Sequence, residues 1–154
     1  MSVNDKNKQT IDTINKLIEI CKDGEKGYKD AASRVGDEDF QTILGRLSQQ
    51  RALFRSELEN HLIKDFGEEP NASDSFKSKI HRNWMDFKSG LKADDTRSVL
   101  EECERGEKHA IDAYSEALKG QLPAFIDERV RNQMDMIKGT LGQLKEFEAE
   151  VSKA

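Results

Sequence analysis

The chain has 154 residues, with 25 Lys+Arg against 30 Asp+Glu, a formal net charge of −5, and 36% charged against 35% apolar residues. That charge fraction is well above the ~25% of ordinary globular domains, and the length suits one domain or two tightly fused halves. No run approaches the ~18 apolar residues of a spanning helix, residues 1–20 lack the basic-then-apolar order of a secretory signal, and a net acidic chain without a Lys/Arg stripe is a poor nucleic-acid binder. Two cysteines cannot build a disulfide scaffold, so a reducing cytoplasm is the expected setting.

With only 2 Pro and with apolar residues at helical spacing, the pattern predicts an all-α chain. A first helix over about 5–35 carries the stripe Ile11, Ile14, Ile18, Cys21, Tyr28, Ala32, Val35; Gly36 is expected at its C′ position and Asp37 as the next N-cap. A second, about 38–66, aligns Phe40, Ile43, Leu47, Phe54, Leu58 and Leu62, and the Gly67–Asn71 stretch breaks it. A shorter amphipathic helix over 73–91 has the stripe Phe76, Ile80, Trp84, Phe87, Leu91. A fourth runs from about 95 to 119 and stops at Gly120; the last starts at Pro123 and continues to about 150.

Residues 17–33 laid over 99–115 give eight identities in 17 positions, among them Glu19/Glu101, Cys21/Cys103, Gly24/Gly106, Glu25/Glu107 and Lys26/Lys108. About one is expected by chance at typical residue frequencies. The partner helices match more weakly at an offset of 83, through Ile43/Ile126, Arg46/Arg129, Gln50/Gln133 and Leu58/Leu141. The chain therefore reads as one domain, 1–154, made of two duplicated helical hairpins (5–66 and 95–152) joined by a crossover segment (67–94) with its own helix. Hairpins of ~28-residue helices make a four-helix bundle about 40 Å long, and the joining segment can run its length as a long crossover.

Each long helix places one amide or carboxylate on its apolar stripe: Glu25, Gln50, Glu107 and Gln133. All four lie 11–14 residues from their hairpin turn, so antiparallel hairpins are expected to bring them into one layer near mid-bundle. Isolated buried carboxylates are costly, so such a layer must be hydrogen-bonded, proton-sharing or metal-bound. Tyr28 and Tyr114 are within reach of it as hydrogen-bond donors.

The D-G-E-K and R-G-E-K segments around Glu25 and Glu107 resemble the single-Glu positions of ferritin- and rubrerythrin-type di-iron bundles. More closely, the repeated E-x-C-x-x-G-E-K and the H-R-x-W of the crossover (His81, Arg82, Trp84) resemble an uncharacterised bacterial family of ferritin-like four-helix-bundle proteins. That resemblance implies the fold over nearly the whole chain and no established activity; a stress-associated role follows from analogy alone. The chain departs from the di-iron pattern where Glu-x-x-His is required: Gln50-x-x-Leu53 and Gln133-x-x-Met136 stand there. Two readings stay open. In one, the layer is a structural polar core of a non-enzymatic protein. In the other, Glu25 and Glu107, with Gln50 and Gln133, hold one or two hard ions such as iron or manganese for oxidase-like or iron-handling chemistry.

Among the remaining residues, His61 is too far along its helix from Gln50 to share the layer, and His81 and His109 are expected on the outside. No Ser/His/Asp set, phosphate loop or CxxC motif is present, so no catalytic residue is assigned. Cys21 and Cys103 are expected about 12 Å apart as buried packing residues, too far for a disulfide, with a redox pair in another topology as the second reading. Gly24 and Gly106, unfavourable in helix interiors, point to a close approach or a local distortion, or are simply inherited neutrally. The Phe76, Trp84, Phe87 stripe would also suit a homodimer interface.

Overall fold

The helix boundaries follow from local capping chemistry. In the computed structural model, which describes residues 3–91 and 95–153, the elements are α1 (Val3–Arg34), α2 (Glu38–Phe66), α3 (Asp74–Gly90), α4 (Thr96–Lys119) and α5 (Ala124–Lys153). No strand occurs among the described residues. Asp37, Ser73 and Asp95 cap α2, α3 and α4, each accepting from the backbone N–H three residues on (Phe40, Phe76 and Ser98) at 3.1–3.3 Å. Asp37 therefore does what the sequence predicted. The left-handed C-cap falls at Gly67 (φ 64°), whose N–H donates to the Ile63 carbonyl; Gly36 does not take that conformation.

α1 packs along α2, and α4 along α5, as two hairpins. Ile14, Ile18 and Cys21 of α1 share one core cluster with Ala110, Tyr114 and Ala117 of α4, while Tyr28, Ala31 and Val35 share the other with Val99, Leu100 and Cys103. Rising numbers on one helix meet falling numbers on the other, so α1 and α4 are antiparallel neighbours. The same logic makes α2 and α5 antiparallel: Phe54, Leu58 and Leu62 share the first cluster with Ile126, Val130 and Ile137, and Leu44 and Leu47 the second with Leu144. The joining segment leaves from the first end, where the Asn71 N–H donates to Asn15 Oδ1 at 2.8 Å, and arrives at the second, where Leu91 is buried. Between them α3 lies on α1 and α4, burying Ile80 and setting the Phe87 ring against Gly27.

One carboxyl at the α4–α5 seam couples this packing to pH. Burial, then a hydrogen bond shared with Glu148 and that neighbour's charge, push Glu104 from its ordinary 4.5 to about 7. A carboxyl raised in the folded state binds its proton more tightly than in the unfolded chain. Its contribution is favourable at low pH and is lost as pH rises from about 4.5 through about 7. Glu104→Gln is accordingly expected to gain stability relative to wild type at pH 8 and much less at pH 5, read by urea denaturation at both values.

Candidate functional site

Four positions fall between the long apolar runs at mid-bundle, and the chain fills them unequally. On α2 the inward series is Leu44, Leu47, Arg51, Phe54, Leu58, Leu62. The seven-residue gap from Leu47 to Phe54 can be bridged at 50 or at 51 with equally good helical spacing. Arg51 takes the inward place, 1% exposed, and Gln50 sits half-buried beside it with its Oε1 lacking a hydrogen-bond partner. The corresponding gap on α1, between Cys21 and Tyr28, is filled by Gly24, and that is what admits the arginine. A Cβ on Gly24 would stand 3.1 Å from Arg51 Cγ and 3.4 Å from one terminal guanidinium nitrogen.

The Arg51 guanidinium crosses the core and donates to Glu107 Oε2 on α4; the two side chains are 1% and 3% exposed. Tyr28 and Phe54 present their ring faces to the same guanidinium, with its carbon 5.5 and 5.9 Å from the two centroids. Burial by itself would lower the Arg51 pKa, and Glu107 more than offsets it, so the cation is held above its ordinary value. Burial and the Glu107 charge push the Tyr28 hydroxyl up, so it stays protonated. Burial likewise raises the thiols, Cys21 to about 11, so neither is a ready nucleophile; both cysteines are free.

Glu25 departs from its expected place. Its side chain is one-third exposed and accepts from Arg55 Nε and Nη2 at 3.3 and 3.1 Å, in a partly solvated group with Glu59. Gln133 is inward, 1% exposed, and joins a second network. It accepts from the Tyr114 hydroxyl at 2.7 Å and donates to the Phe54 carbonyl and Glu57 Oε1, both at 3.2 Å. Tyr114 also meets the Cys21 thiol at 3.2 Å. From Glu57 the network leaves the core: Arg129 donates to Glu57 Oε2 at 2.6 Å and to His61 Nε2 at 3.3 Å, and His61 Nδ1 faces Asp65 at 2.8 Å. Since Nε2 accepts from an arginine, the proton of the neutral ring belongs on Nδ1.

Three of the four expected layer residues therefore belong to separate groups, Glu107 with Arg51, Gln133 with Tyr114 and Glu57, and Glu25 with Arg55 near the surface, while Gln50 Oε1 has no hydrogen-bond partner. No hydrogen bond joins any two of the four among the described residues. Leu53 and Met136, in the places a di-iron bundle gives to histidine, point outward at 57% and 44% exposure. Among the described residues no group of three or more His, Cys, Asp or Glu is arranged to hold a metal ion. Sequence reasoning assigned neither Arg51 nor Arg129 to the interior networks; the one available signal for Arg51 was the second way of bridging the Leu47–Phe54 gap.

Beside the ion pair a cleft of about 230 Å³ opens between α1, α3 and α4, lined by residues that include Gly24, Tyr28, Arg51, Gly106 and Glu107. The two repeated glycines thus differ in surroundings: Gly24 is pressed by Arg51, and a Cβ on Gly106 would meet nothing within 4 Å.

The class this defines is an all-helical bundle protein of two packed hairpins with a charged pair inside and no helix long and apolar enough, among the described residues, to cross a membrane. Residues 9–120, from α1 to the end of α4, match the family described as Domain of unknown function (DUF2383), and the chain belongs to that family. No curated protein matches the chain.

Proposed function

We propose that this protein is a ferritin-like bundle that works without a metal, a binding or interaction protein rather than an oxidase, with the Arg51 guanidinium as its interior cation. The observation that carries this reading is the Arg51–Glu107 pair, whose two side chains are both buried. A crossover connection is supported by the joining segment, which leaves one core cluster near Asn71 and reaches the other at Leu91. The donor set does not fit a di-metal centre. One carboxylate is neutralised by Arg51, the other by Arg55 near solvent, two positions are amides, and the histidine places hold exposed Leu53 and Met136. A second cation beside a permanent guanidinium would be repelled at close range in a low-dielectric interior. Two free, buried cysteines are in keeping with a reducing compartment.

Iron oxidation tests the reading. With Fe²⁺ in aerobic buffer, the protein is expected to leave the rate of ferric formation at its buffer value. Acceleration that disappears in Glu25→Gln plus Glu107→Gln, with folding retained, would support the metal-bound alternative instead.

A further inference from the structure

Five large apolar side chains stand exposed among the described residues, Leu53, Ile63, Met85, Phe125 and Met136, at 44–57%. Four of them belong to α2 and α5, whose outward face lies opposite the α1–α4 face that α3 covers. Their placement is periodic. On α2 the series Gln49, Leu53, Ser56, Asn60, Ile63 has the spacing 4-3-4-3, and on α5 Asn132, Met136, Gly139, Gln143 has 4-3-4. That is the seam spacing by which one helix packs along another. All nine residues are exposed and none is charged, although a chain with 36% charged residues would place about three charges there by composition alone. Depletion of charge, with Met present, is the compositional mark of an interface core.

The two series are also equivalent. At the offset of 83 that relates α2 to α5, Gln49, Leu53, Ser56 and Asn60 correspond to Asn132, Met136, Gly139 and Gln143. Each reads amide, large apolar, small, amide. The hydrogen bond from Gln133 to Glu57 sets the register, and one turn on from it Leu53 and Met136 come level. Since α2 and α5 are antiparallel, an approximate twofold axis passes through the face between those two residues.

That pattern selects the occupant. Asn and Gln both donate and accept, so the strip complements itself. A charged partner would gain nothing from it, whereas copies of a chain of net charge −5 approach at least cost where no charge stands. The α3 stripe, the other expected dimer surface, is turned inward: Ile80 is buried and the Phe87 ring lies against Gly27.

We propose that the outward face of α2 and α5 is the interface of a symmetric homodimer, in which two copies pack these strips against each other about a dyad. Strips of roughly 20–27 Å on two helices each ~10 Å wide offer about 400–500 Å² per copy. The total is at the low end for a specific interface, so the dimer exchanges with monomer. The interface does not involve the interior cation, and iron-oxidation or metal-content results leave it untouched.

Sedimentation equilibrium of the full chain, from about 1 to about 300 μM, is the test, with a dimer Kd on the order of 10–100 μM expected. Leu53→Lys with Met136→Lys sets like charges against each other at the centre and is expected to weaken dimerisation at least ~30-fold. Both side chains are exposed, so the thermal midpoint of the monomer at low concentration is expected to hold. Ser56→Glu with Gly139→Glu repeats the test with the opposite charge, at a glycine where a Cβ meets no atom. Met85→Lys, on α3, is expected to leave the dimer as it is. A wild type still monomeric at about 300 μM, a dimer that survives either folded double variant, or one abolished by Met85→Lys would each overturn the proposal.

Discussion

Replacing Arg51 by Met is expected to cost about 3–5 kcal/mol of folding stability, because it leaves the Glu107 carboxylate buried without a counter-charge. That is a large part of the ~5–15 kcal/mol that holds a domain together, and amounts to roughly 10 °C or more in thermal midpoint. Glu107→Leu alone should cost a similar amount, stranding the guanidinium between Tyr28 and Phe54. The informative variant is the double one. Arg51→Met with Glu107→Leu removes both desolvated charges and supplies apolar volume, and is expected to recover most of the loss. Urea denaturation of wild type, both single variants and the double variant gives the coupling energy; additive losses would mean that the pair is not the dominant interaction of either group.

The second expectation concerns the repeated glycines, which share the Gly-Glu-Lys segment and are opposite in sign. Gly106→Ala should stabilise by about 0.5–1 kcal/mol, since the new methyl enters open space and the helix interior gains a better former. Gly24→Ala earns the same local gain but drives a methyl into Arg51, which Glu107 holds from the far side. Overpacking against a pinned side chain leaves a net loss of about 1–2 kcal/mol. In an Arg51→Met background the loss at Gly24 should shrink, because Met can move aside. Thermal and urea melts of the four variants read this directly, and equal effects at the two glycines would contradict the account.

Helix count and boundaries were legible because capping residues and breaks are local: Asp37, Ser73, Asp95, Gly67 and Gly120 act within a few residues of where they stand. The duplication was legible through the Cys-x-x-Gly-Glu-Lys segments. The interior site was only half legible. Glu107 and Gln133 are buried as their spacing implied, and Glu25 is not. The stripe of α1 admits position 24 or 25 at that level, just as α2 admits 50 or 51. Which of each pair turns inward is decided between helices, by an arginine that needs a bare glycine opposite it. At offset 83 the counterpart of Arg51 is Met134, so the repeat itself gave no hint of the charge. The same asymmetry leaves room beside Gly106, and that cleft has no sequence signature.

The central claim is that Arg51, and no metal, supplies the positive charge inside this bundle. The most direct test is elemental analysis of protein produced in iron- and manganese-supplemented medium and purified without chelator. The account predicts no stoichiometric metal in wild type. One or two ions per chain, lost from folded Glu25→Gln plus Glu107→Gln protein, would contradict it.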